Sequence, residues 1–231
     1  MSVLALVLAG PLQSWGSAAR FARRTTEAAP TKSGVLGLLA AALGRPRDAG
    51  LGDLAALRFG VRVDQRGVRM RDFQTAHHQV TNTAKPVSDR FYLADAVFVA
   101  AVEGDDALIT ELHQAVQQPE FLPYLGRRSC PPSRPIELTE PQPSPLEEVL
   151  TGTPWQAAAW QQRRNRHQEQ VALDVLVDAG PEDHRSEPQR DVPLSFDPLH
   201  RRYGLRGFTN RRVHLPNPYA VSRDHDPWSF L

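Results

Sequence analysis

The sequence predicts a mixed α+β fold, on three observations. Short apolar runs of strand length alternate with two segments of helical apolar spacing, a long polar excursion interrupts them, and a proline-rich stretch divides the chain past its middle. With 231 residues, 41% hydrophobic and 23% charged, the chain can bury one large core or two small ones.

Each element has a local reason. Ser2 to Leu8 is apolar and bounded by Gly10-Pro11, which predicts a strand buried on both faces. A polar, arginine-bearing loop follows through Thr26. Thr31 offers an oxygen that caps a helix over Gly34 to Leu43, with Val35, Leu38, Leu39 and Ala42 on one stripe and Gly44 and Pro46 ending it. Arg58 to Asp64 alternates, turning Phe59, Val61 and Val63 one way, and predicts a half-buried strand. Residues 65 to 89 hold few large apolar side chains and exceed the usual loop of about 2–6 residues. Phe91 to Val102 reads as one central strand, and Asp105 or Asp106 caps a helix burying Leu108, Ile109, Leu112 and Val116.

The order strand, helix, strand, strand, helix needs one more strand, expected near the prolines. That completes the split βαβ pattern of ferredoxin-like and RNA-recognition folds. We expect residues 1–120 to form this body, with an insertion at about 65–90. Residues 121–231 supply a proline-rich connection and a less regular, β-rich part that completes the body. Within the latter, Ser144 with Glu147, and Thr153 with Gln156, match capping boxes of two short helices ending near Leu150 and Arg164. Val171 to Val177 reads as a strand, 180 to 191 as a loose polar segment, and Pro216 to Leu231 as a turn-rich tail.

Composition narrows the function classes. No run approaches the roughly 18 apolar residues of a membrane span. Met1 to Leu8 lacks a basic leader and soon meets Pro11, Gln13 and Trp15, so it reads as a strand and not as a signal peptide, and the expected compartment is the cytoplasm. The single cysteine, Cys130, excludes an internal disulfide and is no basis for a zinc site. The net charge of +1 conceals an asymmetry: residues 20 to 90 carry thirteen basic and six acidic side chains, residues 91 to 160 three and ten. The basic part suits a polyanion.

Three groups of residues carry candidate chemistry. Gly10 to Gly16 follows the first strand, with Gln13 and Ser14 able to hydrogen-bond and Trp15 able to stack on a base, or else to anchor a turn in the core. Pro30-Thr31-Lys32-Ser33-Gly34 opens a helix whose free N–H groups, with Lys32 and Ser33, suit a phosphate; Ala28 breaks the nucleotide-binding pattern, and an ordinary capped helix is the alternative. Arg20, Arg23, Arg24, Arg66, Arg69, Arg71 and Arg90 form a phosphate track if their loops converge. Phe73, His77, His78, Phe91 and Tyr92 lie among them for stacking, and Lys85 adds charge. No nucleophile elbow, HExxH or paired-carboxylate spacing is present. A histidine with Tyr92 or Lys85 leaves metal-independent RNA cleavage as the alternative activity.

Three sets of residues together resemble the CasD family of type I-E CRISPR systems, within the RAMP superfamily. The first is Leu6 to Gly16, Arg20 and Pro30 to Gly44. Met70-Arg71-Asp72-Phe73-Gln74-Thr75 and Arg90 to Ala96 form the second, and Leu125-Gly126-Arg127-Arg128-Ser129-Cys130-Pro131-Pro132 the third. The resemblance covers about residues 3 to 135 and is diffuse beyond. It implies a ferredoxin-like body with an extended thumb between the second and third strands. It also implies a non-catalytic subunit of the Cascade surveillance complex, without cofactor or metal, that caps the complex by holding the 5′ handle of the crRNA. Implied partners are the backbone subunit, the large PAM-reading subunit and, indirectly, target DNA. The implied RNA-binding set is Gln13, Ser14, Trp15, Arg20, Arg23, Lys32, Ser33, Arg71, His77, Lys85 and Arg90, with Cys130 packed and unreactive. Related type I-C proteins cleave precursor RNA, so a metal-independent endoribonuclease is the alternative.

Overall fold

The computed structural model describes residues 1–16, 23–180 and 183–221. It is an α+β structure built on a six-stranded antiparallel sheet. The strands are β1 (Ser2–Ala9), β4 (Arg58–Gln65), β7 (Val97–Gly104), β8 (Gln170–Asp178), β9 (Glu187–Ser195) and β10 (Arg202–Pro216), in the spatial order β1-β7-β4-β8-β10-β9. A second, smaller sheet centres on β6 (Ser88–Ala94), flanked by β5 (Val68–Gln74) on one edge and by β2 (Leu12–Gln13) and β3 (Arg23–Arg24) on the other.

Helices cover both faces of the large sheet. On one side lie α1 (Lys32–Ala42) and α3 (Asp106–Gln117), burying Leu36, Leu39, Ile109 and Leu112 against Leu4, Leu6, Phe59, Val61 and Phe98. On the other, α4 (Leu146–Gly152) sets Leu146, Val149 and Leu150 on Val3, Ala5, Val99 and Val177. Thr31 caps α1 through Gly34 N–H at 3.2 Å, and the Asp105 carboxylate caps α3 through Ala107 N–H at 3.0 Å. Two short helices complete the set, α2 (Gly52–Ala56) and α5 (Ala159–Arg164).

The two-sided cover corrects the half-buried reading of Arg58 to Asp64. Seven of the eight β4 residues are buried, Arg62 and Asp64 among them. The reading of Phe91 to Val102 as one strand also fails. Asp95, at φ 55°, turns the chain so that β6 enters the small sheet and β7 the large one. Near the prolines no regular strand forms. Instead the segment 136–142 runs antiparallel along the outer edge of β1, exchanging bonds at Val3 and Gln142 (2.8 and 3.0 Å) and at Val7 and Ile136 (2.8 Å). Prolines remove the donors that a full ladder requires.

Neither capping box forms. Pro145 precedes α4 without a side-chain bond, and the Thr153 hydroxyl donates back to Val149 O (2.7 Å), closing α4 instead of opening α5. Of the segment expected to be loose, Glu187 to Asp191 belongs to β9, paired with β10. Of the expected tail, residues 222–231 lie outside the described residues.

Candidate nucleic-acid interface

The polar excursion becomes a projecting two-stranded arm. Strands β5 and β6 pair without a break from Val68↔Ala94 to Gln74↔Ser88, and an exposed tip, residues 75–87, carries the His77↔Ala84 bridge. The arm is therefore a continuous ladder between root and tip, and only the tip lacks strand structure apart from that bridge.

Strand alternation sorts the arm's charges onto two faces. On one, Arg69 and Arg23 stand over the Phe91 ring at 4.8 and 5.4 Å, and Arg71 pairs with Asp89 at 3.0 Å. Phe73 continues this face and is 71% exposed. On the other lie Met70, Arg90 and Tyr92, with Arg24 beside Arg90 in register. Arg127 reaches in from the loop 125–130, its guanidinium 4.9 Å from the Tyr92 ring and its Nη2 donating to Arg24 O at 2.9 Å. Arg90 Nε and Arg127 Nη1 are shielded from solvent and have no hydrogen-bond partner among the described residues. A buried guanidinium N–H without an acceptor is costly, and an anion or base edge relieves it.

The root of the arm is shaped by the residues of the first motif, facing inward. Trp15 is fully buried, its Nε1 donating to Gln13 Oε1 at 3.0 Å. Gln13 Nε2 donates to Leu8 O and Ala96 O (2.9 and 2.8 Å), and Ser14 Oγ donates to Phe91 O (3.0 Å). A Cβ on Gly34 would stand 2.7 Å from the Trp15 ring, so glycine there lets the indole lie against the first turn of α1. Gly126, at φ +85°, lets the arginine-bearing loop close on Ser14, where any side chain would collide with the Ser14 carbonyl. Gln13, Ser14 and Trp15, expected as ligand contacts, thus have their side-chain polar groups bonded within the chain and their surfaces enclosed.

Lys32 and Ser33, expected at a phosphate, also face inward. The anion at the N-terminus of α1 is the protein's own Asp191, which accepts from Lys32 N–H at 2.8 Å. Lys32 Nζ pairs with Asp178 at 2.9 Å, and Arg206 joins Asp178 and Asp191 at 2.8 and 2.7 Å, closing a buried network that ties α1 to β8, β9 and β10. Ser33 is buried beside Thr31. Lys32→Met is expected to cost about 1–3 kcal/mol by leaving Asp178 short of a partner. Urea melts check this, and the folded variant should keep wild-type RNA affinity and salt dependence; a shallower salt slope would return Lys32 to the interface.

Of the remaining predicted residues, Arg23 and Arg71 lie on one face of the arm and Arg90 on the other, whereas His77 and Lys85 sit on its exposed tip, remote from Tyr92 at the root. Arg20 lies outside the described residues. Arg66, exposed, turns to Asp174 of β8. Arg127 was missed among the site residues although its motif was noticed; the signal was the loop's GRRSCPP sequence, which brings two arginines next to a glycine turn. Cys130 is fully enclosed in that loop, and burial pushes its thiol pKa up, away from thiolate reactivity. Among the described residues, no three His, Cys, Asp or Glu side chains group closely enough to hold a metal, and no helix is long and apolar enough to cross a membrane.

Arginines backed by aromatic rings along a projecting arm define a class of surface suited to a polyanionic strand. Comparison with known proteins gives the particular family. The family described as CRISPR-associated protein (Cas_Cas5) matches residues 3–209. CRISPR system Cascade subunit CasD of Escherichia coli (strain K12) is 38% identical over 175 residues, 64% of this chain and 75% of that protein. A crystal structure of a Cas protein is 36% identical with a TM-score of 0.70, covering 95% of this chain and 98% of the other. A chain of a CRISPR RNA-guided surveillance complex is 31% identical with a TM-score of 0.75, covering 97% and 95%. The chain belongs to the Cas5 family of CRISPR-associated proteins.

Proposed function

We propose that this chain is a non-catalytic subunit of a type I-E Cascade surveillance complex that holds the 5′ handle of the crRNA and caps that end of the assembly. The observation that carries the reading is the pair of shielded N–H groups of Arg90 and Arg127 beside Tyr92, without partners among the described residues. Phosphate oxygens or base acceptors of a strand laid across this face of the arm would satisfy them, with Arg24 on the same face extending the contact. The body is ferredoxin-like: residues 1–120 supply β1, α1, β4, β7 and α3, and the irregular edge at 136–142 stands where a fourth strand would pair with β1. The remainder of the chain completes it. The arm, the thumb of this reading, reaches toward the backbone subunit with His77 and Lys85 at its tip. The large PAM-reading subunit is the second protein neighbour, and target DNA is met only through the assembled complex.

Arg90→Ala and Arg127→Ala test the site. Each is expected to lose about 1.5–3 kcal/mol of handle binding and to lower the slope of log affinity against log salt by about 0.7, the value for one phosphate of a single strand. Filter binding at several salt concentrations measures both. Wild-type slopes in both variants would remove these arginines from the interface.

A further inference from the structure

Next to the root of the arm lies an open groove of about 450 Å³ that the arginine cluster does not use. Its lining includes Trp160 at the start of α5, Arg134 from the proline-rich segment, and Asp95 from the turn between β6 and β7. Trp160 is 51% exposed and follows three alanines, whose small side chains leave the groove wall beside it low. Asp95 is held in the left-handed region, φ 55°, by bonds on both sides: its N–H donates to Pro11 O at 3.2 Å and its carbonyl accepts from Gln65 Nε2 at 2.5 Å. Its carboxylate has no hydrogen-bond partner among the described residues, and the one bond of the Arg134 guanidinium is to Gln156 O at 3.3 Å.

We propose that this groove receives one unpaired, amino-bearing nucleobase of the bound RNA, stacked on Trp160 and read at its edge by Asp95 and Arg134. The inference rests on the RNA-holding function proposed above. A carboxylate beside an arginine suits a base edge, which presents a donor and an acceptor together, and repels a phosphate. Stacking on a half-exposed indole is the sequence-tolerant part of single-strand recognition. The groove also continues the interface, because Asp95 follows Arg90 and Tyr92 along the same strand and turn.

Single abasic substitutions along a handle RNA, titrated against wild type and Trp160→Leu, test it. One position is expected to lose about 5- to 100-fold in affinity with wild type and to lose nothing further in Trp160→Leu, while Trp160→Phe keeps the wild-type profile. Uridine at that position should weaken binding to wild type, and Asp95→Asn should abolish the preference. Melting curves of the variants exclude a folding loss, and if Trp160→Leu fails to fold, the uridine penalty and its loss in Asp95→Asn carry the test. If wild type binds RNA and no abasic position couples to Trp160, the pocket is overturned while the RNA-holding function stands. In that case, weakened assembly of Trp160→Leu with partner subunits would assign the groove to a protein contact. If wild type, alone and assembled, shows no handle affinity, the function itself fails.

Discussion

Replacing Arg62 with alanine is expected to cost about 3–5 kcal/mol of folding stability, the loss that follows when one member of a buried ion pair is left without the other. Arg62 and Asp64 lie on the same face of β4 with no exposure, joined by two bonds of 2.7 and 2.9 Å. The remaining donors of the guanidinium hold the carbonyls of Leu150, Thr153 (2.6 Å) and Pro154 (2.9 Å), while Asp64 accepts from Gln156 N–H at 2.6 Å and its own carbonyl from Trp155 Nε1 at 2.9 Å. The pair clamps the connection between α4 and α5 onto the sheet. Urea denaturation of Arg62→Ala and of the double variant Arg62→Met with Asp64→Leu measures the effect. The double variant should recover part of the loss because no lone charge stays buried. A single-variant cost below about 1 kcal/mol would mean that Asp64 is solvated after all.

Trp15→Ala is expected to cost a similar amount, about 3–5 kcal/mol, through the cavity left beside α1. It also strands Gln13 Oε1, which has the indole N–H as its donor. The RNA affinity of the protein that remains folded should match wild type. Thermal melting combined with RNA titration distinguishes this from a stacking role, for which stability would hold and affinity would fall by about 1–3 kcal/mol.

The parts of the fold that announced themselves did so through local chemistry. Thr31 and Asp105 cap α1 and α3 in the structure as their oxygens predicted, and the apolar stripes behind them are buried. Strands β9 and β10 were not legible. Pro188 and Pro193 interrupt the first, and much of the second is exposed and polar, so both depend on cross-strand pairing that no local pattern records. The site divides along the same line. Arg23, Arg71 and Arg90 lie on an element whose charge was visible as a local excess. Lys32 looked like a phosphate ligand because its acidic partners are remote, Asp178 being 146 residues away and Asp191 159. A capped helix with a lysine in its first turn reads identically whether the anion arrives from a ligand or from the far end of the chain.

That distance has a consequence for how the protein is made. During synthesis Lys32 emerges long before Asp178, Asp191 or Arg206, so the helix terminus waits for its partners until β10 has been made. Pairings of such large sequence separation are slow to form and come late. Without β10 the chain lacks Arg206 and β9 loses its only sheet partner, so Asp191 is no longer held at the start of α1. The anchoring of α1 thus depends on strands that lie far from it in sequence, and a chain truncated before β10 is expected to hold α1 less firmly.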